Sequence, residues 1–483
     1  MRSFAAFVAT AVAIPMAIAA PNKAWNSDKL DAKYYSPEQV MDVDVVIIGA
    51  GGMGAYSAIQ LKDAGKKVVV VESKDRCGGH TETYHDKETG IPIDMGVKLY
   101  HDEPLVYQWF ARFNLSTTFT TGAAGAAAGP NLNVDFRTGQ VIPGLPAANQ
   151  TAIGAAIARY AAIISQWPQL EGGFYLPEPI PEDLLMPFGQ FVQKYQLTDA
   201  VQTIYVITSA FGDVLEIPTL QVIRTFGLGL IKTMQNFQTS SVNDNSLLFE
   251  RLTAELLASN SLLLSSKVTK VARVSKIDGG VKVLVETPKG CRLIQAKKIL
   301  MAIPPTPENL QTFDPSGDEL KIFSQFTSVG YFTSIIRHAA PNNTAVNNLA
   351  IDRPYAVPAM PAVYNILPTS NPTLSLVYYG TKVGQQISTE QAKAAIMADI
   401  NRFRAVNNVT GPAPEFVAFA NHAPYNLMVG AEATRAGFYK SLYGLQAKRN
   451  TFWTGAAFRA HDSSSSWAFT SRSVLPQLLA SLQ

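Results

Sequence analysis

The chain has 483 residues, which is too long for one compact core and typical of two domains. Forty basic and 37 acidic residues give a formal charge of +3, and no basic block is present, so nucleic acid and anionic membranes are excluded as expected partners. Only Cys77 and Cys291 occur, so a hydrophobic core rather than a disulfide framework must hold the fold.

The N-terminal segment predicts secretion. Met1 and Arg2 precede an apolar run over residues 4–18, and the small residues 17–19 form a cleavage site, so residues 1–19 read as a signal peptide. The run is too short for a membrane anchor. The mature chain carries four glycosylation sequons and is expected to be a secreted or secretory-pathway glycoprotein. The sequon asparagines are Asn114, Asn149, Asn342 and Asn408.

The next feature is a dinucleotide-binding fingerprint. Residues 44–48 form an apolar strand, the glycine-rich turn 49–54 follows, and residues 55–64 predict a helix. A second strand over residues 67–71 ends at Glu72, whose carboxylate is placed to bind a ribose diol. The glycines allow a tight turn, a close approach of pyrophosphate to the backbone, and close helix packing. They are Gly49, Gly51, Gly52 and Gly54.

The residues after this strand narrow the cofactor to FAD. The run from Glu72 through Arg76 to His80, followed by Asp94-Met95-Gly96, resembles the flavin amine oxidase and phytoene desaturase superfamily. The resemblance implies that the arginine and the glycine pair line the diphosphate and ribityl chain. FAD is expected to be noncovalent, with attachment through Cys77 or His80 as the alternative. The site residues implied by this run are Glu72, Ser73, Arg76, Gly78, Gly79, His80 and Gly96.

The same resemblance implies an α/β fold in which a Rossmann-type FAD-binding domain is interleaved with an α+β substrate domain. We expect the FAD-binding parts at residues 42–100, 241–305 and 446–483. The substrate domain takes residues 101–240, mainly helical, and 306–445. Residues 121–129 predict a loop, and four helices would cover the substrate cavity. Those helices are expected at residues 152–166, 187–195, 199–211 and 219–230.

The middle of the chain predicts a return to the nucleotide-binding sheet. Residues 247–259 form an amphipathic helix, and a three-stranded meander is expected over residues 262–275, 281–287 and 292–295. Residues 296–305 resemble the superfamily's returning strand. In the same comparison the backbone of Val268 contacts adenine, and an ordinary strand valine is an equally weighted alternative.

Residues 326–423 predict strands interrupted by a helix at residues 389–406. This stretch is rich in aromatic residues, and some are expected to line the substrate pocket. They are Tyr331, Tyr355, Tyr364, Tyr378 and Tyr379.

The tail resembles the superfamily's closing motif of strand, small-residue turn and helix. Gly455 lies in the turn, and Ser463 to Ser466 begin a helix, with Ser465 expected to bind FAD. The positive end of this helix would stabilise anionic reduced flavin. Trp467 matches an aromatic residue beside the flavin face; the alternative is that it only packs the helix.

These features predict an FAD-dependent oxidoreductase. The segment Gly227-Leu228-Gly229 lacks the context of a second dinucleotide site, so an organic substrate must reduce the flavin, and dioxygen or another acceptor must reoxidise it. Six histidines are scattered without metal-ligand spacing, and no metal is expected. Lys98 and His101 follow Gly96 closely enough to approach the pocket, but a structural or surface role is favoured for both.

Within the superfamily, the mature chain most resembles secreted fungal FAD oxidoreductases similar to β-cyclopiazonate dehydrogenase. This resemblance implies an amine-bearing or indole-type secondary metabolite as substrate, in some cases with oxidative cyclisation. One alternative is a flavin-dependent desaturase or isomerase of a polyunsaturated lipid. Another is a nonenzymatic carrier similar to GDP-dissociation inhibitors.

Overall fold

The computed structural model describes residues 30–120, 130–144, 148–208, 210–274 and 279–483. The predicted signal peptide and the predicted loop at residues 121–129 lie outside these ranges. The strands in chain order are β1 Val40–Ile48, β2 Val68–Val71, β3 Thr83–His85, β4 Pro92–Asp94, β5 Thr117–Thr120, β6 Asn131–Asp135, β7 Gln140–Val141, β8 Phe237–Ser240, β9 Leu262–Leu263, β10 Lys267–Ala272, β11 Val281–Thr287, β12 Gly290–Met301, β13 Thr327–Val329, β14 Tyr331–Arg337, β15 Ala345–Asn348, β16 Ala362–Pro368, β17 Leu374–Gly380, β18 Glu415–Asn421, β19 Tyr425–Met428 and β20 Thr451–Trp453.

A π-helical turn, Thr470–Val474, joins the last two of the α-helices. The α-helices are α1 Gly52–Asp63, α2 Pro104–Ala111, α3 Gln150–Ile164, α4 Glu182–Leu185, α5 Phe188–Lys194, α6 Val201–Ile207, α7 Thr219–Ile223, α8 Leu228–Thr233, α9 Ser246–Ala258, α10 Pro307–Leu310, α11 Gly317–Phe323, α12 Thr389–Val406, α13 Ala431–Arg435, α14 Phe438–Tyr443, α15 Ser463–Phe469 and α16 Leu475–Ala480.

The first large sheet carries the dinucleotide fingerprint. Its strand order is β10-β11-β12-β1-β2-β9, and β20 pairs with β12. Strand β1 is parallel to both β12 and β2, and β2 is parallel to β9. The apolar ends of β1 and β2 are buried, as expected for parallel strands covered on both faces. The carboxyl ends of β1, β2 and β12 therefore meet at one edge, where α1 begins.

Strand β12 differs from the sequence prediction. We expected a short strand at residues 292–295 and a separate returning strand, but one strand spans Gly290–Met301. Its first half pairs antiparallel with β11, the stretch from Leu293 to Met301 pairs parallel with β1, and its last residues pair with β20. Partners on both edges keep the chain extended where the local pattern suggested a break.

The second large sheet is built mainly from the stretch predicted at residues 326–423. Its strand order is β18-β14-β17-β16-β15-β6-β7, so two strands from the stretch predicted to be mainly helical complete it. Helix α12 packs on this sheet through a face spaced by three and four residues. That face comprises Ala392, Ile396, Ile400 and Phe403. The helix begins with a capping box between Ser388 and Gln391, which fixes its start as predicted.

The helical region differs from the prediction at residues 219–230. Two helices, α7 and α8, replace the expected single one. The carboxylate of Glu171 accepts hydrogen bonds from the amides of Leu228 at 2.8 Å and Gly229 at 3.0 Å, and so caps the start of α8. This distant partner satisfies the amide groups that a new helix start leaves open.

Both cysteines are free: Cys77 is buried and Cys291 is half-buried. Within the described ranges, none of the helices has the length and apolar character needed to cross a membrane.

Candidate active site

A cavity of about 420 Å³ opens where the first sheet meets the second. One side is formed by the glycine-rich turn after β1 and the loops around Gly79 and Gly96. Tyr331 at the start of β14 and the chain around β19 also line the cavity, and they adjoin the Gly79 loop, because the ring of His80 stacks on that of His422. The turn after β20 closes one end. The cavity therefore joins the nucleotide fingerprint to the floor of the second sheet.

The glycine-rich turn has the shape of a phosphate cradle. Gly49 has φ +92°, and a Cβ at Gly54 would lie 1.9 Å from the carbonyl oxygen of Gly49, so both positions need glycine. A Cβ at Gly52 would meet no heavy atom within 4 Å. Gly51 caps the 12-residue helix α1, and both Gly51 and Gly52 line the cavity. The open backbone at a helix N-terminus is suited to a pyrophosphate.

Glu72 lies at the edge of this cradle and lines the cavity. Its carboxylate accepts hydrogen bonds from the amides of Ala50 at 2.6 Å and Lys74 at 2.8 Å. The Ser73 hydroxyl donates to the same carboxylate at 3.1 Å, but Ser73 itself is exposed and lies outside the cavity lining. Glu72 thus holds the glycine-rich turn while facing the place where a ribose would bind.

Arg76 shapes the following loop instead of lining the cavity. Its guanidinium donates to the carbonyls of Thr81 at 3.0 Å and Gly79 at 3.1 Å, and it forms an ion pair with Glu82 at 2.6 Å. These contacts hold Gly78 and Gly79, which have φ +110° and +58°, against the cradle. A Cβ at Gly79 would lie 2.9 Å from the Cα of Gly51. Arg76 therefore supports the glycine pair, and its expected contact with the cofactor stays a prediction.

Gly96 also needs its lack of a side chain, because a Cβ there would lie 1.8 Å from the carbonyl oxygen of His80. Asp94, two residues earlier, accepts hydrogen bonds from Thr83 Oγ1 at 2.5 Å and Asn245 Nδ2 at 2.8 Å. Burial raises the pKa of Asp94 to about 6. Lys98 lines the cavity, although a structural or surface role was the favoured expectation, whereas His101 is buried outside the cavity lining.

The closing motif contributes the turn but not the tryptophan. Gly455 has φ +111° and lines the cavity, as do Ser463 and Ser466. Asp462 caps α15 by accepting a hydrogen bond from the amide of Ser465 at 2.7 Å, and Ser465 lies outside the lining. Small and polar residues thus form most of this end of the cavity.

Trp467 is fully buried outside the cavity lining. Its ring stacks on Tyr100 with centroids 5.5 Å apart, and Nε1 donates to the carbonyl of Gly52 at 3.2 Å. The side chain faces α1 and α2 because it lies on the inner side of α15. This placement favours the alternative that Trp467 packs the helix.

Val268 pairs with Val285 in the sheet and also lies outside the cavity lining, so its contact with adenine stays a prediction.

Five aromatic side chains form an aromatic wall of the same cavity: His80, Tyr331, His422, Tyr425 and His461. The rings of His80 and His422 stack with centroids 4.6 Å apart. Tyr425 lies 4.8 Å from Tyr331 and 4.0 Å from His461. Sequence analysis found His80 and Tyr331 but missed the other three. His461 could have been predicted to lie in the cavity, because it directly precedes the serine run of the closing motif. The sequence around His422 contains no motif that predicts such a position.

The three histidines of the wall are neutral at ordinary pH. Burial, with Lys74 nearby, lowers the pKa of His80 to about 4. Burial also lowers the pKa of His422 and His461 well below the usual value. The amide of Asn426 donates to Nε2 of His461 at 2.6 Å. Nε2 of His422 is buried and has no hydrogen-bond partner among the described residues.

The residues present fit FAD. The open backbone of Gly51 and Gly52 can hold a pyrophosphate, Glu72 a ribose, and the turn at Gly455 the far end of the cofactor. When bound, FAD supplies the hydride acceptor. Over the described ranges, no group of three or more histidine, cysteine or acidic residues is arranged to hold a metal ion.

The family model for flavin containing amine oxidoreductases matches residues 56–423. The chain belongs to this family. It is 36% identical over 459 residues to the FAD-dependent oxidoreductase oblC of Cochliobolus heterostrophus, covering 93% of this chain and 94% of that one. It is 33% identical over 443 residues to β-cyclopiazonate dehydrogenase of Aspergillus oryzae, covering 91% and 93%. The protein is an FAD-dependent oxidoreductase, and the predicted superfamily and cofactor are confirmed.

Solved structures share the fold. A fatty acid isomerase from P. acnes superposes with a TM-score of 0.67 at 16% identity, covering 89% of this chain and 97% of that one. A putrescine oxidase gives a TM-score of 0.61 at 14% identity, covering 91% and 99%. The predicted amine oxidase-like α/β fold class is therefore confirmed, and identities this low carry no information about the substrate.

Proposed function

We propose that the protein oxidises an amine-bearing or indole-type secondary metabolite by hydride transfer to FAD, and that dioxygen or another acceptor reoxidises the flavin. The observation that carries the proposal is the aromatic wall, which lines the same cavity as the phosphate cradle. In some substrates the oxidation would create an electrophile that an internal nucleophile attacks, which closes a ring.

The wall is suited to a flat, electron-rich substrate. Tyr331 and Tyr425 present ring faces, and contacts between aromatic rings contribute about 0.5–1.5 kcal/mol each beyond the burial of area. The imidazoles of His80, His422 and His461 are uncharged, so they do not repel a substrate amine. Hydride transfer requires a substrate C–H held in one orientation away from water, and such a wall supplies that orientation.

The structure supports a reductive step without a nicotinamide cofactor. At Gly227-Leu228-Gly229 the amides at the start of α8 already bind the carboxylate of Glu171. The position that a second pyrophosphate would take is thus filled by a side chain of the protein itself. The organic substrate is then the source of the hydride.

The alternatives have less support. A polyunsaturated lipid would need a long apolar path, whereas the wall places three histidines against the cradle. A nonenzymatic carrier does not agree with relatives that are named oxidoreductases over more than nine-tenths of this chain.

The test is anaerobic stopped-flow mixing of the FAD-loaded enzyme with indole-type and aliphatic amines, following loss of the flavin absorbance. We expect aromatic amines to bleach the flavin without NADPH, and Tyr331→Leu to slow bleaching at least tenfold. Tyr379→Leu is the matched control, because Tyr379 is a buried tyrosine of the same sheet that packs in the core on the α12 side. A strict need for NADPH, or bleaching only by unsaturated lipids, would contradict the proposal.

We also propose that the mature enzyme is secreted or resides in the secretory lumen. The predicted signal peptide motivates this, and the four sequon asparagines are exposed, as glycan attachment requires.

A further inference from the structure

We propose that the His461 end of the cavity binds an anionic oxygen of the substrate, and that Arg224 and Asn426 are positioning residues that prepare His461 for it. This inference rests on the proposed function, since it adds an acidic oxygen to the amine-bearing or indole-type substrate. Three features carry it: the tautomer of His461, the backbone of Asn426, and the buried charge of two arginines.

His461 is fixed as a hydrogen-bond donor. It lines the cavity, and its Nε2 accepts a hydrogen bond from the amide of Asn426 at 2.6 Å, which assigns the single proton of the neutral ring to Nδ1. The ring also packs on Tyr425 with centroids 4.0 Å apart, which limits its rotation. His461 therefore offers an N–H, and no basic nitrogen, to a group in the cavity.

Asn426 owes its orientation to Arg224. Asn426 is fully buried and has φ +52°, a left-handed conformation that asparagine adopts more readily than most residues. Its side-chain Oδ1 accepts a hydrogen bond from Nη2 of Arg224. This contact holds the peptide so that its amide points at His461. Arg224 thus acts on the cavity through Asn426.

Arg224 brings a positive charge that no carboxylate compensates. It is 3% exposed, and its Nη1 donates to Leu427 O at 2.9 Å and to the side-chain oxygen of Gln221 at 3.1 Å. Arg459, also 3% exposed, donates to the carbonyls of Arg224 at 2.5 Å and Glu171 at 3.1 Å. Neither guanidinium has an ion-pair partner among the described residues. Burial and Arg459 lower the pKa of Arg224 to about 10, so it remains charged at neutral pH.

The other charged groups near this end leave the excess positive. The carboxylate of Glu171 is held by the amides of α8. Asp462 lines the cavity; its Oδ1 caps α15 at Ser465 and lies 3.7 Å from Nε2 of His101, and its Oδ2 is buried, so this carboxylate reaches neither arginine within ion-pair distance among the described residues. Lys98 adds a further cation to the lining. The guanidinium of Arg224 lies 5.5 Å from the centroid of the Phe174 ring, but a ring does not replace an ion pair, and a bound anion would supply the ion pair that these arginines lack among the described residues.

The ligand chemistry that fits is an oxygen anion on a flat substrate: a carboxylate, a phenolate or an enolate. Such an oxygen would accept the hydrogen bond from Nδ1 of His461 and offset the charge behind it. It would also fix which carbon of the substrate lies over the cradle side of the cavity.

The experiment uses benzoate and its uncharged analogue benzamide as probes. Each is titrated into the FAD-loaded enzyme at pH 7, and binding is followed by the change in the flavin spectrum. We expect the wild type to bind benzoate at least tenfold more tightly than benzamide, Arg224→Met to lose this preference, and Arg224→Lys to restore part of it. Arg404→Met is the matched control, because Arg404 is a buried arginine that donates to the carbonyls of His338 and Pro412 in another part of the fold.

A second measurement reports on positioning itself. Nitrogen-15 NMR of histidine-labelled enzyme should show His461 protonated on Nδ1 in the wild type and in Arg404→Met, and a mixture of tautomers in Arg224→Met. Equal affinity for the two probes, or an unchanged preference in Arg224→Met, would overturn the inference. It would also be overturned if Arg224→Met lowered only the flavin midpoint potential, because the anion would then be the reduced cofactor. Bleaching by amines tests the proposed function separately, and either result can stand without the other.

Discussion

Glu72 joins two parts of the nucleotide site, since its carboxylate binds the amide of Ala50 in the glycine-rich turn and that of Lys74 in the next loop. We expect Glu72→Gln to weaken FAD binding by roughly 1.5–3 kcal/mol, about 10- to 100-fold in Kd, because charge-assisted hydrogen bonds are lost. Asp75→Asn is the control, since Asp75 is an exposed carboxylate of the same loop. Fluorescence titration of apoprotein with FAD measures both, and equal affinities would show that Glu72 does not hold the cofactor.

Asp94 predicts a pH-dependent stability. Burial raises its pKa to about 6, although hydrogen bonds from Thr83 and Asn245 oppose the rise. Because the folded pKa exceeds the unfolded one, the protonated acid contributes stability that is fully present below about pH 4 and lost as pH rises through about 6. Asp94→Asn cannot titrate, so the unfolding free energy of the wild type relative to this variant should fall by up to about 3 kcal/mol over that window.

Chemical denaturation of the FAD-loaded enzyme at several pH values measures this difference. Asp352→Asn is the control, because Asp352 is an exposed carboxylate of a surface ion pair, where little stability is at stake. A difference for Asp94→Asn that is flat between pH 4 and 7 would contradict the prediction.

The sequence predicted those site residues that belong to one continuous motif. The glycines and Glu72 follow one another at fixed spacing, so the turn, the cradle and the acid could be placed from the pattern. His422 and Tyr425 could not, because they reach the cavity only when β14 and β18 pair and β19 follows them. Arg224 is equally hidden, since its partners Leu427 and Asn426 are about 200 positions further along the chain.

Elements with their own boundary signals were predicted well. Helix α12 spans Thr389–Val406, as expected, because the capping box fixes its start and its apolar face repeats every three or four residues. Strand β11 was likewise predicted at Val281–Thr287. The break between α7 and α8, and the length of β12, depend on Glu171 and on two flanking strands. The local sequence pattern cannot predict these boundaries, because the residues that fix them are distant along the chain.

Helix α15 is expected to depend on Trp467 for its packing. Trp467 packs α15 onto α1 and α2, and its ring fills space between Tyr56, Tyr100 and Trp109. We expect Trp467→Ala to lower the unfolding free energy by about 3–5 kcal/mol, as large-to-small changes of buried aromatic residues do. The rate of anaerobic flavin reduction per bound FAD should stay within a factor of two of the wild type.

Stopped-flow bleaching, normalised to FAD content, distinguishes this role from a place in the cavity. Tyr331→Leu is the comparison, because Tyr331 lines the cavity and is expected to slow reduction. Slow reduction in fully loaded Trp467→Ala would show that the ring reaches the flavin after all.

The whole molecule follows from the way the two sheets exchange chain segments. The first sheet contains strands from residues 40–71, 262–301 and 451–453. The loops that follow β1, β12 and β20 in this sheet line the cavity. Sequence analysis anticipated these returns through resemblance, and the fold class and cofactor were confirmed. The substrate was not readable in the same way, because the aromatic wall is assembled from β14, β19 and the closing motif, which are distant in sequence.

The last prediction concerns the mature molecule. The short apolar segment before Ala20 predicts cleavage there, and Asn114, Asn149, Asn342 and Asn408 are exposed on the folded chain. Expressed with its own N-terminus in a fungal host, the protein should be recovered from the medium or vesicles, begin near Ala20, and lose mass on treatment with an N-glycosidase.

The control is a variant with all four sequon asparagines changed to Gln, which should keep the same N-terminus and lose no mass on that treatment. Because each asparagine is exposed, the change should leave FAD binding intact, so any loss of secretion reflects the missing glycans and not a damaged core. N-terminal sequencing and intact-mass spectrometry give the readout. A cytosolic product that retains Met1 and carries no glycan would show that the leading segment is not a secretory signal, while the FAD site would be unaffected.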